Sequence, residues 1–149
     1  MRKPVEGHRV VIHRGMVSTL LDSLDVGLLE FRDRTGNAVA AFTSFVVPGS
    51  WVFSCCTDPG WAQIMESSGY TVDALNRQAN KVPGRLRVFS RSGALVLDTP
   101  YASVIELWRN NSILSAVFNK YFNDDTWIFA NEHDSDWESS KKRLGYGVF

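Results

Sequence analysis

The 149-residue chain carries 16 basic and 16 acidic side chains, a formal net charge of zero and a pI near 6.8, so it lacks the bulk charge that draws a protein to nucleic acid or an anionic membrane. With 44% hydrophobic and 21% charged residues it is neither disordered nor fibrous, and its length suits one domain, residues 1–149, around a single core. No run approaches the ~20 apolar residues that cross a bilayer, and Met1 to Glu6 lack the apolar stretch of a signal peptide; the expected location is cytoplasmic, with no membrane partner.

Arg9 to Ile12 is rich in β-branched residues and stops at His13, Arg14 and Gly15, which predicts a strand entering a turn. Leu20, Leu21, Leu24 and Leu28 recur at three- and four-residue steps behind Ser18 or Thr19 as N-cap, with Gly27 near the end, so the spacing predicts an amphipathic helix. Leu28 to Arg32 reads as extended and Thr35, Gly36 and Asn37 as a turn before the apolar run Ala38 to Val47. Pro48, Gly49 and Ser50 then turn into a strand from Trp51 to Cys55, continuing an antiparallel meander.

Asp58, Pro59, Gly60 and Trp61 resemble a helix start, and that helix extends to Ser67 or Ser68. A second helix covers Val72 to Asn80 and is ended by Pro83 and Gly84. Arg85 to Ser90 and Ala94 to Leu97, on either side of Arg91, Ser92 and Gly93, form a hairpin. Val104 to Leu107 and Ile113 to Phe122 read as helical, Trp127 to Ala130 as a buried strand, and Ser135 to Arg143 as a short polar helix capped by Gly145. No internal repeat is evident. The order predicts an α+β fold: a mixed, mainly antiparallel sheet with three to five packed helices in a single domain.

The two cysteines, Cys55 and Cys56, are adjacent on a strand, where side chains point to opposite faces; they read as reduced thiols. No glycine-rich phosphate loop, GxSxG, HExxH or CxxC occurs, which removes the well-marked enzyme classes. Asp124, Asp125, Glu132, Asp134, Asp136 and Glu138 surround His133, a density of oxygen and imidazole that can hold a divalent cation. Carboxylates ahead of a helix also complement its dipole, and the central glycine of a calcium loop is missing, so the reading is a solvated surface with no metal. Arg77, Lys81, Arg85, Arg87 and Arg91 make a basic stripe suited to phosphates or to an acidic protein surface. Trp61, after a turn, and Trp137, in a polar helix, are the tryptophans best placed to meet a partner.

Val10, Val11, Ile12, His13, Arg14 and Gly15, followed by the Leu20 to Leu28 segment, resemble the opening of the ADP-ribosyltransferase superfamily, where a strand ends in a His or Arg that helps hold NAD. Phe42, Thr43 and Ser44 resemble the Ser/Thr element of one branch, and Trp51 to Met65 the strand and Asp-Pro helix of another. Arg85 to Asp98 looks like the middle hairpin, and Leu144, Gly145 and Tyr146 are similar to the Leu-Gly-Tyr entry to the final strands. The resemblance implies NAD as cofactor, His13 or Arg14 orienting it, Ser44 in the site, and an acid such as Glu132 stabilising charge at the ribose. It departs from that family in lacking the strand beyond Leu-Gly-Tyr that usually carries the glutamate, since the chain ends at Phe149. Trp127 to Tyr146 is also similar to the closing strand and helix of the acetyl-coenzyme A dependent N-acetyltransferases, with Asp134 where an Asn is common and without their glycine-rich loop.

The leading expectation is therefore a small binding protein without chemistry or cofactor, on an ADP-ribosyltransferase-like scaffold. It would hold a macromolecular partner, a protein before a nucleic acid, through Arg85, Arg87, Arg91, Trp61 and Trp137. The alternatives are an active NAD-dependent ADP-ribosyltransferase using His13, Arg14, Ser44 and Glu132, and an N-acetyltransferase-like protein.

Overall fold

The computed structural model describes residues 4–15, 18–33, 38–47, 50–63, 83–110, 113–120 and 127–143. The strands are β1 (Val5–Glu6), β2 (Arg9–Arg14), β3 (Ser18–Ser23), β4 (Leu28–Asp33), β5 (Ala38–Thr43), β6 (Ser50–Cys55), β7 (Pro83–Phe89), β8 (Leu95–Thr99), β9 (Val104–Trp108), β10 (Leu114–Asn119) and β11 (Ile128–Asn131), followed by helix α1 (Trp137–Arg143). They form two antiparallel sheets, one in the order β1-β6-β5-β4-β7-β8 and one in the order β11-β10-β9-β2-β3. The sheets meet across an aromatic core. Phe31, Phe42 and Phe53 of the first pack on Trp127, Phe118 and Phe129 of the second, with Phe118 and Phe129 stacked at 4.4 Å between centroids.

This architecture corrects the expected α+β class. Among the described residues, helix is confined to residues 61–63 and α1, and the rest of the regular structure is antiparallel sheet. Three of the expected helices are strands. Leu20 and Leu21 lie on β3, where a bulge opposite Ile12 and His13 breaks the alternation and lets both pack against the core. Leu24 is an exposed loop residue, and Leu28 already belongs to β4. Residues 113–122 mimic a helix because all six residues of β10 are buried: Ala116 and Phe118 face the sandwich, while Leu114 and Val117 face α1. A strand covered on both faces loses its polar alternation. Val104 to Leu107 is β9 for the same reason. The helix expected at Val72 to Asn80 lies outside the described residues.

The absence of an internal repeat is also corrected. One constant shift of 76 positions, the step from Glu30 to Glu106, carries β2 through β6 onto β7 through β11. It carries the strand register with it: Leu29 pairs with Phe42 as Ile105 pairs with Phe118, Phe42 with Phe53 as Phe118 with Phe129, and Ile12 with Ile105 as Val88 with Leu29. The bulges after Phe31 and Leu107 recur at equivalent places, as do the loop bonds Gly27 N–H to Phe89 O and Ser103 N–H to His13 O, both 2.9 Å. Ungapped at this shift, Arg9 and Arg85, Asp22 and Asp98, Phe42 and Phe118, Trp51 and Trp127, Asp58 and Asp134, and Trp61 and Trp137 are identical. The two halves exchange hairpins: β2–β3 of the first completes the sheet of β9–β11, and β7–β8 of the second completes the sheet of β4–β6. Each hairpin turns through a left-handed glycine, Gly15 (φ 63°) and Gly93 (φ 89°), a conformation that a side chain at either place would strain.

After each meander the same turn leads into a helix. The Asp58 carboxylate accepts the N–H of Cys55 at 2.9 Å, and the Asp134 carboxylate that of Asn131 at 2.9 Å. The backbone carbonyls of these aspartates accept Trp61 N–H and Trp137 N–H, 3.1 and 3.2 Å. Each Asp thus fastens the end of a strand as well as opening a helix. Trp137 closes a second apolar cluster with Val104, Leu114, Val117 and Ala130 on the outer face of its sheet.

Candidate functional site

On β4 and β9 the core-facing residues alternate with Glu30 and Glu106, which lie on the outer faces at equivalent positions. Each anchors a charged cluster built from both halves of the chain. In the first, Glu30 is fully buried and paired with Arg32, directly opposite Arg87, whose Nη1 lies 3.7 Å away. Asp98 on β8 holds Arg85 and approaches Arg87 at 3.9 Å. Three guanidinium groups thus share two carboxylates. The Oε2 of Glu30 and the Nε of Arg87 are buried without a hydrogen-bond partner among the described residues.

In the second cluster Glu106 accepts the Trp108 indole N–H at 3.1 Å and lies 3.2 Å from Nε2 of His13, whose Nδ1 is 3.3 Å from the Thr19 hydroxyl. Arg9 grips Asp22 through two bonds of 2.8 and 2.6 Å, the counterpart of Arg85 and Asp98. That hydrogen bond pulls the Asp22 carboxyl below its ordinary value and raises the Arg9 guanidinium. Where the second cluster has His13 and Thr19, the first has Phe89 and Leu95. A hydroxyl, an imidazole and a carboxylate in line can activate the hydroxyl, but Thr19 is exposed on an edge strand.

The residues of the transferase reading are dispersed. His13 stands beside Val104, at the end of β9 next to Asn119, whereas the backbone of Glu132 bonds Ser115 near the other end of β10, roughly 13 Å along the strand at about 3.3 Å per residue. Glu132 pairs with Arg109 and lies 3.9 Å from His133. The Ser44 hydroxyl donates to the Gly27 carbonyl at 3.0 Å, in the other sheet, and Arg14 stacks over Tyr101 at 4.4 Å. The residues of the binding reading are also partly engaged. Arg85 and Arg87 are paired with Asp98 and Glu30, while Arg91 is exposed in the β7–β8 turn. Trp61 and Trp137 are buried. In the acidic segment Glu138 pairs with Lys141 at 3.1 Å and Asp136 with Arg143 at 3.8 Å; among the described residues no group of three or more His, Cys, Asp or Glu is arranged to hold a metal ion. Asp124, Asp125, Arg77 and Lys81 lie outside the described residues.

Sequence reasoning missed Glu30, Glu106, Asp22 and Asp98, and although it placed a strand at Ala94 to Leu97 it missed that this strand, β8, forms a sheet edge. The signal for the acids was the shift that superposes Arg9, Asp22 and Glu30 on Arg85, Asp98 and Glu106. The edge shows in exposure: Leu95 and Val96 are each 46% exposed, Tyr101 just beyond the strand 58%, and Leu24 60%. The Leu24 loop is held to the β7–β8 turn by the Asp25 carboxylate, which accepts the Arg91 N–H at 3.3 Å. On the equivalent edge β3, the places of Leu95 and Val96 are taken by Thr19 and by Leu20, which packs on the core. The depression beside Leu86, Thr99, Lys120 and Trp127 has no room for a water molecule. No helix among the described residues is long and apolar enough to cross a membrane.

No family model, curated protein or solved structure matches the chain.

Proposed function

We propose that this chain is a small interaction protein without chemistry of its own, which works by holding a protein partner. The observation that carries this reading is the exposure of Leu95 and Val96 on the edge strand β8, with exposed Tyr101 just beyond its end and exposed Leu24 in a loop bonded to the β7–β8 turn, on a protein whose charged clusters are largely paired internally. Pairing of Arg85 and Arg87 with carboxylates favours a protein over a nucleic acid, because phosphates would have to displace Asp98 and Glu30. The test is affinity capture of a partner, identified by mass spectrometry, on the wild-type chain and on Leu95→Lys, with folding of both checked by circular dichroism. Capture by the wild type that resists added salt and drops at least tenfold in Leu95→Lys is the expected result; equal capture by the two proteins would overturn it.

A second reading, NAD-dependent transfer, is supported by the clasp of His13 on the Glu106 carboxylate, with Arg14 as its neighbour on β2. Incubation with labelled NAD decides it. Transferred label that disappears in His13→Ala supports it, and absence of both label and NAD binding ends it.

A further inference from the structure

Resting on the interaction reading, we infer that the partner is bound by strand addition: an extended, predominantly apolar peptide segment pairs with the outer edge of β8. β8 ends the six-stranded sheet, hydrogen-bonded to β7 alone among the described strands, so its outward backbone groups are available as a template. The duplication supplies an internal control. β3 and β8 are the same strand in the two halves, with the same bulge, at Leu20 and at Val96. A bulge blunts an edge against indiscriminate pairing. β3 keeps polar Ser18 and Thr19 beside it, whereas β8 replaces them with Ala94 and Leu95 and turns Val96 outward. Only one of two equivalent edges has become apolar.

Size and charge select the occupant. The exposed parts of Leu24, Leu95, Val96 and Tyr101 amount to roughly 400 Å², against the ~800 Å² per partner of a standard stable interface, so a second folded copy is too poorly held by this edge. A peptide strand draws its affinity from main-chain bonds as well as side chains and needs less apolar area. Asp98 is the acid on β8 and is already held by Arg85, so β8 itself offers no unpaired charge and suits an uncharged segment, with exposed Arg91 confined to the turn before it.

The test uses the full chain and a soluble eight-residue peptide of alternating threonine and valine with lysine at each end, alongside the same peptide N-methylated at alternate residues. Hydrogen exchange followed by NMR should show β8 amides slowed at least tenfold by the plain peptide, no slowing by the methylated one, and at least tenfold weaker binding to Val96→Lys. Equal binding of both peptides, protection of β3 instead of β8, absence of binding, or a concentration-dependent dimer protected at β8 without peptide would each overturn strand addition. If Leu95→Lys abolishes partner capture while the peptide leaves β8 unprotected, the interaction reading stands and this inference alone falls. Capture unchanged in Leu95→Lys removes the reading beneath it.

Discussion

Glu30 and Glu106 hold equivalent places, and what separates them is their company. Glu30 is fully enclosed and faces Arg32 and Arg87, whereas Glu106 is slightly exposed and faces an indole and an imidazole. Removing the charge of Glu30 takes the buried carboxylate from two guanidinium groups, each only about a quarter exposed, and leaves Arg87 with Asp98 at 3.9 Å. Leaving a buried arginine–carboxylate pair half made costs more than losing the bond between a carboxylate and an indole N–H. Glu30→Gln should therefore lower the unfolding free energy by about 2–4 kcal/mol and Glu106→Gln by about 1–2 kcal/mol. Urea denaturation at pH 7 measures both, and equal losses would show that the three-arginine cluster is not held by Glu30.

Between strand and helix, the chain uses one device twice. Asp58 and Asp134 each reach back to a strand N–H while their carbonyls receive the following Trp N–H. Asp58→Ala and Asp134→Ala should each cost about 1.5–3 kcal/mol, the range for a hydrogen bond to a charged group, in similar amounts. Asp58 also accepts the Ser54 hydroxyl at 3.2 Å, so any inequality should run toward Asp58. Thermal unfolding of both variants checks this; a neutral Asp134→Ala would mean the turn is set by backbone alone. The same elements show what the sequence makes legible. The β7–β8 hairpin, β6, β11 and α1 are readable because turn residues and polarity bound them, and the Asp-x-x-Trp turns are readable as helix starts. β10 and β9 are not, because burial on two faces erases alternation, and β3 is not, because its bulge imitates a helical step. The candidate edge is hidden for another reason: Leu95 and Val96 look like ordinary strand residues until the neighbouring strands are counted, and only topology does that.

At the scale of the molecule, neither half owns a sheet. β4 pairs with β7 and β2 with β9, so both seams join the first half to the second, and Arg9, Asp22 and Glu106, like Arg85, Asp98 and Glu30, span them. The halves should then unfold together, with far-UV circular dichroism and tryptophan fluorescence giving coincident urea transitions. Two resolved transitions would show that one sheet persists without the hairpin of the other half.

Each half presents to its mate the surfaces it would present to the corresponding half of another molecule. Carrying both halves on one polypeptide sets how often the two meet compared with strangers in solution. A chain holding one half alone would direct the same interlocking into closed two-chain assemblies, every sandwich then woven from two molecules.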